Sequence, residues 1–220
     1  MHPLMSDSVK NGPSAHRIIP FPKSETANSP RKAQIYQLKI TLKGSRPPIW
    51  RRVLVPSGIT FHRLHRIIQT VFDWQDCHLY EFSFSGANVS APREDNLILP
   101  DPKPSKNARR LKIDRLLTSE RHCTYTYDFG DDWEHEIELE KVLEPEPGVS
   151  YPFCNEGERH APLEDIGGIG GYSRFLKAIS DPQDPEHEEM LEWVGGSDDD
   201  PGFDPEECDL YQINGMLADL

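Results

Sequence analysis

The sequence predicts an α+β fold: a β-grasp-like mixed or antiparallel sheet with one crossing helix, and a helical C-terminal third packed on it. Three observations predict this. Residues 122–142 (HCTYTYDFGDDWEHEIELEKV) alternate apolar and polar on both sides of Gly130-Asp131, the pattern of a hairpin with one buried and one wet face. Residues 35–84 read strand, strand, helix, strand. Beyond residue 160 the apolar spacing turns helical and the composition turns acidic.

In chain order, residues 1–33 mix Pro, Ser, Asn, Lys and His without periodicity, the composition of a disordered basic arm. Order begins at Ile35, where Tyr36, Leu38, Ile40 and Leu42 alternate with Gln37, Lys39, Thr41 and Lys43. Gly44 to Pro48 turn the chain into a second strand at 49–55. Thr60 then caps a helix with Phe61, Leu64, Ile67, Ile68, Val71 and Phe72 at helical spacing. Asp73 to Asp76 end it, and His78, Tyr80, Phe82 and Phe84 mark a third strand. Gly86 to Asn107 is a long loop rich in Pro, Asp and Asn, with a short edge strand expected at Leu97–Leu99. A helical turn at 113–117 leads into the hairpin. There Cys123, Tyr125, Tyr127 and Phe129, then Trp133, His135, Ile137 and Leu139, turn inward, while Asp132, Glu134, Glu136, Glu138 and Glu140 face water. Lys39 and Lys43 also face outward, so a first strand laid beside these acids would pair opposite charges.

The C-terminal third opens with a helix at about 171–180 that buries Tyr172, Phe175, Leu176 and Ile179. Asp184-Pro185-Glu186 and Asp204-Pro205-Glu206 repeat one start signal, an Asp cap followed by Pro in the first helical position. The first launches a helix to Val194, closed by Gly195-Gly196. The second launches a short helix to about Asn214-Gly215, leaving 216–220 as a tail. The expected organisation is one domain over 34–215, containing the 86–107 loop and an acidic helical part at 160–215.

Composition bounds what such a domain can do. At 220 residues there is room for one well-cored domain and tails. The net charge of −13 is spread unevenly: 12 Lys/Arg against 2 Asp/Glu in residues 1–72, but 3 against 18 in residues 151–220. Mutual neutralisation of the two ends is the plainer expectation, ahead of a separate basic patch. Cys77, Cys123, Cys154 and Cys208 show neither zinc-knuckle nor disulfide-scaffold spacing. No apolar run approaches the roughly 20 residues of a membrane span, and a signal-peptide core is missing from the first residues. A soluble cytoplasmic protein is expected.

Several motifs dissolve on inspection. Asp128-Phe129-Gly130 spells the magnesium tripeptide of protein kinases, but the Gly-rich loop, strand lysine and HRD-type loop are missing, so it is turn chemistry. Gly167 to Gly171 precedes a helix, yet the GxGxxG spacing fails at Ser173 and Glu164-Asp165 would repel phosphate. No GxSxG elbow is present, and Cys154 pairs with His160 only if folding joins them. Arg51, Arg52, Arg109 and Arg110 could contact nucleic acid with Trp50 stacking. Arg51 and Arg52 must point to opposite faces, however, and the acidic third opposes DNA. His135, in the inward register, reads as a core histidine held by hydrogen bonds. A metal site would need His78 or His135 to meet Asp131, Asp132, Glu164 or Asp165.

The segments PPIWRRV (47–53), FHRLHRIIQ (61–69), FDWQDCHLYEF (72–82), YDFGDDWEHEIELE (127–140), PLEDIGGIGGY (162–172) and HEEMLEWVGG (187–196) resemble the plasmid pRiA4b ORF-3-like family, in the right order over about 34–215. The resemblance implies a single α+β domain, in a family some of whose members are called insertion-element passengers or resolvase-like proteins. It implies no chemistry, and an activated Ser among arginines, as a serine recombinase needs, is not found. Cysteines that the resemblance implies near the PPED-type motif are replaced here by Ala161 and Ile166, leaving Cys154.

The leading expectation is a non-enzymatic protein-interaction module, associated with mobile elements or their bacterial hosts, that meets its partner through the acidic third and needs no cofactor. The alternative is a metal-dependent hydrolase or nuclease-type enzyme acting on phosphoesters or nucleic acid. It would use His78, Asp131, Asp132, His135, Glu164 and Asp165, with a divalent metal held by His78, His135 and Asp131. A DNA-binding accessory protein is the second alternative.

Overall fold

The structure is a computed structural model that describes residues 33–92, 105–196 and 202–220. Among these, eight strands form one sheet and five helices pack on it. The strands are β1 (Ile35–Leu42), β2 (Trp50–Pro56), β3 (Tyr80–Ser83), β4 (Asn88–Ser90), β5 (Ser105–Asn107), β6 (His122–Tyr127), β7 (Trp133–Leu143) and β8 (Phe153–Glu158). The helices are α1 (Phe61–Val71), α2 (Asp114–Glu120), α3 (Gly168–Ser180), α4 (His187–Trp193) and α5 (Leu210–Ala218). The order across the sheet is β5-β4-β3-β6-β7-β1-β2-β8, antiparallel throughout except for the β4–β5 edge pair.

The hairpin of β6 and β7 lies near the middle and sets the register of its neighbours. Tyr125 faces His135 and Tyr127 faces Trp133 across it. Alternation then decides which side is dry: Tyr125, Tyr127, Trp133, His135, Ile137 and Leu139 are buried. On the other side β1 pairs with β7, placing Lys39 opposite Glu138, and Lys43 bonds Glu134 at 3.2 Å. The lysine–acid pairing expected from the sequence is therefore present. Such exposed pairs contribute about 0.2–1 kcal/mol each and matter mainly for register. The register shifts between Gln37 and Leu38, and the skipped residue, Glu140, turns to Arg52 at 2.7 and 2.9 Å.

α1 covers the inward face. Its hydroxyl cap is the expected one: Thr60 Oγ1 accepts from Arg63 N at 3.2 Å, worth about 1 kcal/mol. Phe61, Leu64, Ile67, Ile68 and Val71 are fully buried, and Phe61 meets Phe82 of β3 at 5.1 Å. The strand, strand, helix, strand order thus appears as β1, β2, α1 and β3, within a sheet in which β3 lies beyond the hairpin from β1.

Elsewhere the chain departs from what its sequence pattern suggests. Phe129, expected inward, is 54% exposed because the turn at 128–132 takes it out of the strand register. Phe153-Cys154-Asn155-Glu156-Gly157-Glu158 lacks apolar alternation and looks like a loop in sequence, yet as β8 it closes the β2 edge. Asp204 accepts from Glu206 N, but that turn does not continue; Asp209 caps α5, and the helix runs past Asn214-Gly215 to Ala218 with Leu217 buried. The edge strand expected at Leu97–Leu99 and the N-terminal arm lie outside the described residues. Among the described residues, no helix is long and apolar enough to cross a membrane.

Candidate site at the His78 end of the sheet

Three loops meet at one end of the sheet: the α1–β3 connection, the β6–β7 turn, and the segment leading into α3. Trp74 Nε1 donates to Pro162 O at 2.9 Å, and Gln75 N donates to Glu164 Oε2 at 2.9 Å. The β6–β7 turn is built by Asp chemistry. Asp128 adopts φ 53° and accepts from Gly130 N at 2.9 Å through Oδ1, a local Asx-type bond. This is what the kinase-like tripeptide does here.

The glycines of IGGIGG lock the third loop to that turn. Gly167, in the left-handed region at φ 88°, donates its N–H to Asp131 Oδ2 at 3.0 Å. A Cβ on Gly168 would stand 2.3 Å from Asp131 O, and one on Gly171 would stand 1.8 Å from Ile166 O. These glycines permit close backbone approach, and the amide that a phosphate would use is already taken by Asp131.

The result is a polar cluster around His78. Its Nε2 lies 3.2 Å from Asp165 Oδ1 and 3.7 Å from Asp128 Oδ2. Its backbone N–H donates to Tyr127 Oη at 3.3 Å. Tyr127 in turn donates to Glu164 Oε1 at 2.6 Å, while Cys77 Sγ sits 3.8 Å from the same oxygen. Burial, and then the Glu164 carboxylate, push the Tyr127 phenol far above its ordinary value, so it is a donor at any working pH. Two sets of ligand atoms lie within 4.8 Å of one another: Cys77, His78 and Glu164, and His78, Asp128 and Asp165.

Of the residues singled out from the sequence, His78, Glu164 and Asp165 come together. Asp131 is near but anchors α3, and Asp132 sits on the turn at φ 55°. His135 does not join them. It is fully buried, its Nδ1 lies 3.1 Å from Trp133 O, and Phe72, Trp74 and Tyr125 surround the ring. Burial pulls its pKa down to about 3, so it is neutral. The ligand set His78, His135 and Asp131 is accordingly corrected: one member is core and another is structural. Asp128 and Cys77 take their places, and the sequence signal for Asp128 is the αL-prone Asp before Phe129-Gly130.

A second histidine site gives no sign of itself in sequence beyond its spacing. His65 is fully buried, bonding Asp76 Oδ1 through Nε2 at 2.6 Å and Tyr125 Oη through Nδ1 at 2.8 Å, with Tyr80 stacked at 3.6 Å. Burial lowers its pKa to about 4 against the opposing pull of Asp76. Its shielding makes it a packing element.

The basic residues are also redistributed. Arg51 is buried, donating to the carbonyls of Val71, Trp50 and Glu158, so it cannot reach a nucleic acid. Arg52, on the opposite face as its register requires, is held by Glu140 and Glu156. Arg109 and Arg110 remain exposed. Cys154 Sγ faces Glu156 O, and burial raises its thiol pKa to about 12, which removes it as a nucleophile.

Beside the cluster, Asp165 and Ile166 form one wall of a groove of about 300 Å³ between α3 and α4. Phe175, Met190 and Trp193 supply its apolar surface, and Trp193 is 51% exposed. Asp165, Glu189 and Arg174 edge it, with Arg174 drawn to Glu186 at 3.5 Å.

Known proteins match this arrangement along most of its length. The family model for plasmid pRiA4b ORF-3-like protein matches residues 34–212. An uncharacterised protein of Sinorhizobium fredii (strain NBRC 101917 / NGR234), y4hQ, is 36% identical over 190 residues, 86% of this chain and 93% of that one. The crystal structure of a protein of unknown function from Methanosarcina mazei Go1, MM3350, superposes with a TM-score of 0.72 at 36% identity, covering 82% of this chain and 97% of that one. The chain belongs to the plasmid pRiA4b ORF-3-like family.

Proposed function

We propose that the chain is a non-enzymatic protein-interaction domain that takes its partner in the groove between α3 and α4. The groove carries this reading: a half-exposed tryptophan beside Ile166, Phe175 and Met190 is an anchor site of the kind that dominates interface energies. Charge complementarity selects the occupant. With 18 Asp/Glu against 3 Lys/Arg in residues 151–220, the partner segment is rich in Lys or Arg and carries one large apolar side chain. The same charge disfavours nucleic acid. A cytoplasmic setting and the association with mobile elements or their bacterial hosts, the latter implied by the family resemblance, belong to this proposal.

The test is calorimetry with three short peptides: basic with a Phe anchor, basic without it, and acidic with it. The reading predicts binding of the first, weakened about tenfold or more by Trp193→Ala, in line with an interface hot spot. Equal binding of the acidic peptide, or self-association of the chain through this face in place of peptide binding, would contradict it.

A further inference from the structure

We infer that His78, Asp128 and Asp165 form a binding site for a divalent transition-metal ion of the Zn²⁺ type. The His78 Nε2 atom is closed off from solvent and has no hydrogen-bond partner, although two carboxylate oxygens face it at 3.2 and 3.7 Å. The 3.7 Å contact is too long for a hydrogen bond and the 3.2 Å contact does not meet the geometry of one, so Nε2 is left unsatisfied between two carboxylate oxygens. A cation among the three would satisfy it. The spacing agrees: ligand atoms about 2.1 Å from a tetrahedral ion stand about 3.4 Å apart.

The surrounding bonds leave these atoms available. Asp128 commits Oδ1 to Gly130 N, which fixes the carboxylate and leaves Oδ2 toward His78. Asp165, held at φ 58° in the loop before α3, has a 72% exposed side chain. The alternative set through Cys77 and Glu164 is engaged already, because Glu164 accepts from Tyr127, Gln75 and Cys77. One imidazole and two carboxylates suit Zn²⁺ or Mn²⁺, whereas Ca²⁺ prefers an all-oxygen shell. Three protein ligands would leave the fourth position of a tetrahedral ion to water.

The site shares Asp165 with the groove but does not rest on the groove reading, and bound metal is its own readout. Equilibrium dialysis of the full chain against micromolar Zn²⁺, with bound metal counted by mass spectrometry, is expected to give one equivalent. Asp165→Asn, whose side chain is exposed, and His78→Ala should each weaken binding at least about tenfold, since even outer-shell losses reach that size. Asp132→Asn should bind as the parent does. The Co²⁺ form should show d–d bands without a thiolate charge-transfer band. Absence of stoichiometric metal, parental affinity in a thermally stable Asp165→Asn variant, or a thiolate band assigning the ion to Cys77 would each overturn the assignment.

Discussion

His135 and His78 are separated by two aromatic rings, and the contrast between their surroundings organises the molecule. His135 meets Trp74 at 5.3 Å, Trp74 stacks on Tyr127 at 5.2 Å, and Tyr127 meets His78 edge-on at 5.7 Å. On the first side of this wall the imidazole is dry, neutral and packed among rings. On the second it is part-exposed and faces carboxylates. Residue type is the same, so burial and the convergence of charge decide what each histidine does.

The largest expected effect separates the two sides by pH. His135 and His65 have folded pKa values of about 3 and about 4, below the ordinary value of 6.5. The unfolded chain therefore takes up protons first, and stability present above pH 6.5 is lost as pH falls toward 4. The loss is about 3 kcal/mol for each histidine, read as urea-unfolding free energy against pH. His135→Phe should remove its share of that slope.

Next comes the wall's support. Gly171→Ala places a methyl group against Ile166 O and should cost about 4 kcal/mol, whereas Gly170→Ala, whose Cβ meets nothing within 4 Å, should be neutral or gain up to about 1 kcal/mol. Thermal unfolding of the pair checks both.

The tyrosines sharpen the contrast further. Tyr125→Phe strips His65 Nδ1 and Gln69 Nε2 of a buried partner and should cost about 2 kcal/mol. Tyr127→Phe frees Glu164 and Cys77 N, which water can reach, and should cost about 1 kcal/mol or less. Chemical denaturation that reversed this order would erase the distinction between the sides.

Much of this is legible in the sequence because local periodicity reports burial. β1, β2, α1 and the hairpin follow from alternation and helical spacing, and register alone places His135 inward. β8 escapes because a polar edge strand leaves no apolar period, and the true start of α5 escapes because Asp204-Pro205 and Asp209 are competing caps. The candidate site is partly legible: His78, Glu164 and Asp165 stand out as ligand types, but only folding shows that Asp131 serves α3 and that Asp128 takes its place. The bonds of His65 to Asp76 and Tyr125 span 11 and 60 residues, a reach that periodicity does not encode.

The division between the two histidine environments is tested most directly by histidine-ring NMR on the full chain during Zn²⁺ titration. The structure predicts that the His78 ring signals shift while those of His135 and His65 stay in place. Movement of His135 with His78 unchanged, or no movement of any ring at stoichiometric metal, would contradict it.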